Sequence, residues 1–111
     1  MRAAQIILNN GVILPMVGFG TWKIPEGEPI YSATQQALDV GYRAFDTATL
    51  YNNERGLARA LRESGLHRND YKITHKIWNS DQGYGKTRQA IDKALTTMQL
   101  DFIDVYLVHW P

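Results

Sequence analysis

The stretch RAFDTATLYNNERGLARALRESGLHRNDYKITHK, residues 43–76, decides the fold because its pattern changes twice. Arg43 to Asp46 reads as a short strand, Leu57, Ala58 and Leu61 then recur at helical spacing, and Tyr71 to Lys76 reads as a strand again. Gly65 stands where the helix is expected to end, since the residue past a helix often needs left-handed backbone. Strand, helix and strand within roughly 30 residues is the size of a crossover unit, which brings the chain back to the same end of a sheet.

The alternation extends in both directions. Upstream, Ala4 to Leu8, the turn Asn9-Asn10-Gly11 and Val12 to Leu14 predict a hairpin, because an Asn-Gly pair favours the positive φ values of tight turns. Met16 to Gly20 predicts a first sheet strand and IPEGEP a loop, while Ile30, Ala33, Ala37 and Leu38 share a helical face up to Gly41. Downstream, Lys86 to Gln99 places Ala90, Ile91, Ala94, Leu95 and Met98 on one face, and Phe102 to Val108 predicts a fourth strand. After the hairpin the order is βαβαβαβ, an α/β class with a parallel sheet. Two architectures compete: an open doubly wound sheet or part of a (β/α)8 barrel. Gly18 and Gly20 are followed by Thr21, Trp22, Lys23 and a long loop, not by the third glycine and helix of a dinucleotide fingerprint, which counts against the open sheet.

Composition narrows the function classes. The chain has 111 residues, 44% hydrophobic and 21% charged, the profile of one globular unit with a single core. Its 12 basic and 11 acidic residues are interspersed for a net charge of +1, so no basic stripe suggests nucleic acid or an anionic membrane as partner. A small neutral or acidic partner is expected instead. With no cysteine there is neither a disulfide framework nor a thiolate metal site, and His67, His75 and His109 share no ligand spacing, so no metal is expected. The N-terminal MRAAQIILNNG carries only the short apolar run Ile6 to Leu8, well below the ~7 to 15 residues of a signal-peptide core. No stretch approaches the ~20 residues that span a bilayer. A cytoplasmic location is the expectation.

In parallel α/β folds, sites form at the carboxyl ends of the strands. That rule selects Asp46, Lys76 and His109, each at the end of an expected strand, and Tyr51, just past Asp46. Singly each has a structural reading: a helix cap, a surface cation, a satisfied core histidine, a core aromatic with a wet hydroxyl. Three neighbouring strands delivering ionisable groups to one rim make a functional reading stronger than four separate structural ones.

GYRAFDTATLYNNERGLA, residues 41–58, resembles the first signature of the aldo-keto reductase family, with Gly41, Tyr42, Arg43, Asp46, Ala48 and Glu54 in the positions the pattern wants. GFGTWK, ITHKIWN and LDFIDVYLVHWP are similar to its other N-terminal landmarks, in the expected order, and the overall likeness is to bacterial 2,5-diketogluconate-reductase-like members. Two positions depart from the family pattern: Ala58 replaces a usual glycine, and His75 precedes Lys76 where a small hydroxyl residue is common. The resemblance implies a (β/α)8 TIM barrel of which this chain is the N-terminal part, the hairpin plus the first four strands, with the C-terminal half absent.

It also implies an activity, the NADPH-dependent reduction of aldehydes or ketones, with a catalytic tetrad at Asp46, Tyr51, Lys76 and His109. Carbonyl reduction needs a hydride on carbon and a proton on oxygen. Tyr51 is the implied proton donor. A free phenol ionises near pH 10, so it donates well near neutrality only if its phenolate is stabilised. A single cation about 4 Å away, at an effective dielectric near 20, supplies about 4 kcal/mol, the scale required. Lys76 fills that part, Asp46 keeps the ammonium charged and aimed, and His109 binds the substrate oxygen or shares the proton. By the same resemblance Gly20, Thr21, Trp22 and Lys23 pass near the nicotinamide, with Asp46 by the ribose. Trp22, Leu50, Trp78, His109 and Trp110 line the substrate pocket. The three tryptophans otherwise read as core filling, but all lie at or beyond strand ends, which favours pocket walls. Barrels of this type run to ~250 residues, so the fourth strand is expected to present an open edge through which the fragment self-associates. The alternative is a non-catalytic cofactor-binding or assembly module, or an inactive truncated piece of the reductase.

Overall fold

The computed structural model describes residues 4–110. Met1 to Ala3, which open the N-terminal segment, and Pro111, which closes the last motif, lie outside the described residues.

The hairpin forms as the Asn-Gly pair predicts. Strands β1 (Gln5–Ile7) and β2 (Ile13–Pro15) pair antiparallel, with Gln5 opposite Pro15 and Ile7 opposite Ile13. Gly11 takes φ 89°, a left-handed value that suits glycine, and its N–H donates to the Leu8 carbonyl at 2.9 Å. Four further strands make a parallel sheet in chain order: β3 (Phe19–Gly20), β4 (Ala44–Asp46), β5 (Lys72–Ile77) and β6 (Val105–Val108). Helices α1 (Glu28–Asp39), α2 (Glu54–Glu63) and α3 (Tyr84–Met98) link successive strands. Doubly wound sheets reverse their strand order at a switch point, whereas a barrel wall advances one strand at a time. The observed order is that of a partial (β/α)8 barrel.

Side-chain alternation divides the sheet into two faces. Phe45 pairs with Ile73 and both are buried, as is Ile77; Ile30, Leu57, Leu61 and Met98 from the helices pack on that side. Burying each such side chain stabilises by roughly 1.5–3 kcal/mol. The opposite face carries Ala44, Asp46, Thr74, Lys76, Val105 and Leu107, set by the registers Asp46 to Thr74 to Val105 and Lys76 to Leu107. Among the described residues β6 pairs only with β5, and its Leu107 and Val108 are both exposed. No helix among the described residues is long and apolar enough to cross a membrane.

Element limits differ from the sequence expectation at several ends. The first sheet strand spans two residues, not five, because Met16 and Val17 run exposed outside the ladder. The strand expected over Phe102 to Val108 begins at Val105. Here Asp104 takes over the pairing: its N–H donates to the Ile73 carbonyl at 3.2 Å and its carboxylate accepts the Ile73 N–H at 2.8 Å. Tyr71 is a buried residue ahead of β5 and the strand runs on to Ile77. Helix α1 begins at Glu28 with Pro29 in its first turn, where a missing N–H costs nothing.

Candidate active site

Asp46 is the last residue of β4 and Lys76 the last but one of β5, on the same face of neighbouring strands. Their side chains meet: Lys76 Nζ donates to Asp46 Oδ1. The lysine side chain is 11% exposed and the carboxylate 40%, so the ammonium is largely desolvated while its partner still faces solvent.

Tyr51 arrives from a different direction. After β4 the chain makes a short 3-10 turn over Thr49–Tyr51, closed by Asn52 in the left-handed region at φ 55°. The turn places the Tyr51 ring beneath the same ammonium, with Lys76 Nζ 4.8 Å from the ring centroid. His109 lies one residue beyond β6, its N–H donating to the Ile77 carbonyl at 3.2 Å, which continues the ladder past the strand. Its imidazole meets Tyr51 edge to face at 5.6 Å between centroids. All four residues selected from strand ends therefore share one rim of the sheet. The Tyr51 hydroxyl makes no hydrogen bond among the described residues. The His109 Nδ1 is buried without a partner among them.

The tryptophans surround this cluster. Trp22 packs on Tyr51 at 5.0 Å, Trp78 meets His109 edge to face at 5.7 Å, and Trp110 stacks on His109 at 6.4 Å. Trp22 and Trp110 are 54% and 57% exposed, so neither fills the core; Leu50 is exposed beside Tyr51. They are apolar surfaces around a polar centre, the composition of a small-molecule site.

The loop after β3 is held largely by Asn53, which the sequence did not single out. Asn53, fully buried at the N-cap of α2, donates from Nδ2 to the carbonyls of Thr21 at 2.9 Å and Ile24 at 3.1 Å, and accepts from Thr47 Oγ1 at 2.9 Å. Thr21 is buried, with its hydroxyl donating to the Asp46 carbonyl at 2.7 Å. Thus Thr21 is enclosed, its hydroxyl and carbonyl both bonded within the chain, whereas Trp22 and Lys23 are exposed; Lys23 sits at φ 67° with Nζ 5.9 Å from the Trp22 ring. An asparagine directly before the acidic first turn of a helix is the signal that could have revealed Asn53.

Behind the site, on the helix-covered face, His75 is fully buried and its Nε2 lies 2.7 Å from Glu54 Oε2. Its ring stacks on Tyr106 at 5.6 Å and 11°. Burial, with smaller contributions from the charges of Asp81 and Glu54, raises the Tyr106 phenol above its ordinary range.

The fold has counterparts among known proteins. The family model described as the aldo/keto reductase family matches residues 16–111. The chain is 43% identical over 106 residues to a 9,11-endoperoxide prostaglandin H2 reductase of Trypanosoma cruzi, covering 96% of this chain and 38% of that protein. It is 44% identical over 104 residues to a glyoxal reductase of Bacillus subtilis, covering 94% of this chain and 38% of the relative. The crystal structure of an aldo/keto reductase from Brucella melitensis superposes with a TM-score of 0.95 at 43% identity, over all of this chain and 42% of that one. The chain thus spans about two-fifths of the length of these relatives. With its sequential parallel strands and a family match over most of its length, the chain belongs to the aldo/keto reductase family.

Proposed function

We propose that this chain carries the proton-donating centre of an NADPH-dependent reductase of small aldehydes or ketones, with Tyr51 as general acid. The observation that carries this reading is the convergence of a paired ammonium, a phenol and an imidazole on one rim, with Lys76 Nζ 4.8 Å from the Tyr51 centroid and His109 5.6 Å from it. The residues available fit the nicotinamide end of the cofactor. A side chain at Gly20 would meet nothing within 4 Å, so open space lies over the end of β3, flanked by the exposed Trp22 face and the partly exposed Asp46 carboxylate.

A nicotinamide held beside Gly20, Trp22 and Asp46 would supply the hydride that the carbonyl carbon needs. The chain's own residues handle the oxygen. His109, edge-on to the Tyr51 ring, positions the carbonyl oxygen beside the phenol. As negative charge grows on that oxygen, Tyr51 releases its proton to it, and the O–H bond of the alcohol forms as the phenol O–H bond breaks. The remaining phenolate is stabilised by the Lys76 ammonium, which Asp46 holds in place; solvent returns the proton to Tyr51. Trp22, Leu50, Trp78 and Trp110 limit water around the reacting carbon, which strengthens each of these electrostatic effects.

Replacing Tyr51 by Phe keeps the ring on Trp22 and His109 but removes the proton. Carbonyl reduction should fall by about 10²- to 10⁴-fold, while nicotinamide binding measured by fluorescence titration persists. A Tyr51→Phe protein with undiminished turnover rejects the role. A second reading is a cofactor-binding or assembly module without turnover, for which the exposed Trp22 face beside the open space at Gly20 would suffice. Nicotinamide binding with no carbonyl reduction in the unaltered protein decides for that alternative.

A further inference from the structure

His75 and Glu54 take no part in the chemistry above, yet they join the two segments that do. Glu54 is the first residue of α2, three positions after Tyr51, and the intervening Asn52 and Asn53 are fixed by the left-handed turn and by the buried Asn53 hydrogen bonds. His75 directly precedes Lys76 in β5, so strand alternation aims the two side chains at opposite faces of one backbone. The Nε2 to Oε2 contact of 2.7 Å, at side-chain exposures of 0% and 14%, therefore fastens the Tyr51 segment to the Lys76 strand from the covered side. The Tyr106 ring, stacked on His75 from β6, limits how far the imidazole can turn.

We propose that His75 and Glu54 are a positioning pair that sets how the Lys76 ammonium sits over Tyr51, without touching the reacting atoms. This rests on the reading of Tyr51 as proton donor. Displacing a reacting group by about 1 Å can cost about 10²-fold in rate, so a clamp on the far side of a single strand is enough to govern the centre. The ladder reaches the start of the turn, where the Thr47 N–H donates to the Thr74 carbonyl at 2.9 Å, and Thr49 Oγ1 lies 3.5 Å from the Lys76 carbonyl; the His75 to Glu54 contact is what ties down the far side of the turn, beyond Tyr51.

The test uses the full chain and two independent readouts. The ε-methylene protons of Lys76, held near the ammonium over the Tyr51 ring, carry an upfield ring-current shift that proton NMR reads without cofactor or turnover. In His75→Ala that shift should largely vanish, and kcat should fall roughly 10- to 100-fold with KM and nicotinamide affinity unchanged. His75→Gln, which keeps an N–H donor for Glu54, should restore much of both. Glu54→Ala breaks the same pair from its more exposed partner and should reproduce the His75→Ala result, including in the event that His75→Ala does not fold. Variants that lose thermal stability but keep the Lys76 shift and the parental kcat overturn the proposal, because the pair is then structural only. A Tyr51→Phe protein that keeps its turnover sinks the proton-donor reading instead, whatever the Lys76 shift does.

Discussion

Gly56, in the first turn of α2, has a reason to lack a side chain. A Cβ there would collide with Ile30 Cγ2, in the fully buried core, and with Glu26 Oε1, which accepts the Gly56 N–H at 2.7 Å. The same carboxylate accepts from Gly27 at 2.9 Å and, through its other oxygen, from Arg55 at 3.2 Å, so Glu26 satisfies donors at the start of α2 that the helix itself leaves free. Alanine normally gains about 0.5–1 kcal/mol over glycine inside a helix. Overpacking a filled site costs about 1–3 kcal/mol, and the displaced cap adds to that. Gly56→Ala should therefore destabilise by about 1–2 kcal/mol, seen as a lower urea midpoint at unchanged slope; an unchanged or higher midpoint would show that Ile30 yields. Two residues on, Ala58 is itself 1% exposed in the core, so the helix carries a methyl group there and none at Gly56. None of this was legible in sequence: nothing in the letters around Gly56 shows that a loop glutamate thirty positions earlier folds over it.

Among the elements, Asp104 fixes how β6 joins the sheet. Its carboxylate is 7% exposed and accepts from the Ile73 N–H and from Arg68 Nη2, both at 2.8 Å, while Lys72 stands 3.9 Å away. Arg68 also donates to the carbonyls of Tyr71 and Phe102, each at 3.0 Å. Asp104→Ala leaves the Ile73 N–H and a partly buried guanidinium without their acceptor. The expected cost is about 2–3 kcal/mol, read as a drop in thermal midpoint; a shift typical of a surface substitution would mean that water replaces the carboxylate. This junction explains why the alternation of helices and strands was readable but the strand ends were not. Apolar periodicity reports which face of an element is covered, as with Ala37, Leu38, Leu57 and Leu61. A strand's first residue is set by hydrogen bonds across to another strand, and in Phe102 to Asp104 a side chain takes the place of a ladder bond.

For the molecule as a whole, the described sheet has an unpaired edge at β6 and bare side chains on both of its faces there, Leu107 and Val108. An apolar parallel edge of this kind offers its backbone groups and side chains to another strand. The 111-residue chain produced alone should therefore sediment as a dimer or larger species, with dissociation coupled to loss of its α3 and β6 packing. A monodisperse monomer that unfolds in one cooperative step would contradict this. The placement of the candidate site was legible at this scale because a parallel sheet gathers its strand ends on one rim, so Asp46, Lys76 and His109 had to come together once the strands were recognised. Its support was not: the links from Asn53 to Thr21 and from Glu54 to His75 span 32 and 21 positions, and no periodic pattern encodes contacts between a loop, a cap and a strand. These spans are nonetheless short, and the Lys76 to Asp46 pair closes a loop of only 30 positions. Because doubling a loop adds only about 0.6 kcal/mol of closure entropy and local contacts favour rapid folding, this corner is suited to assemble early. The geometry around Lys76 and Asp46 can therefore emerge from neighbouring segments alone, early in folding.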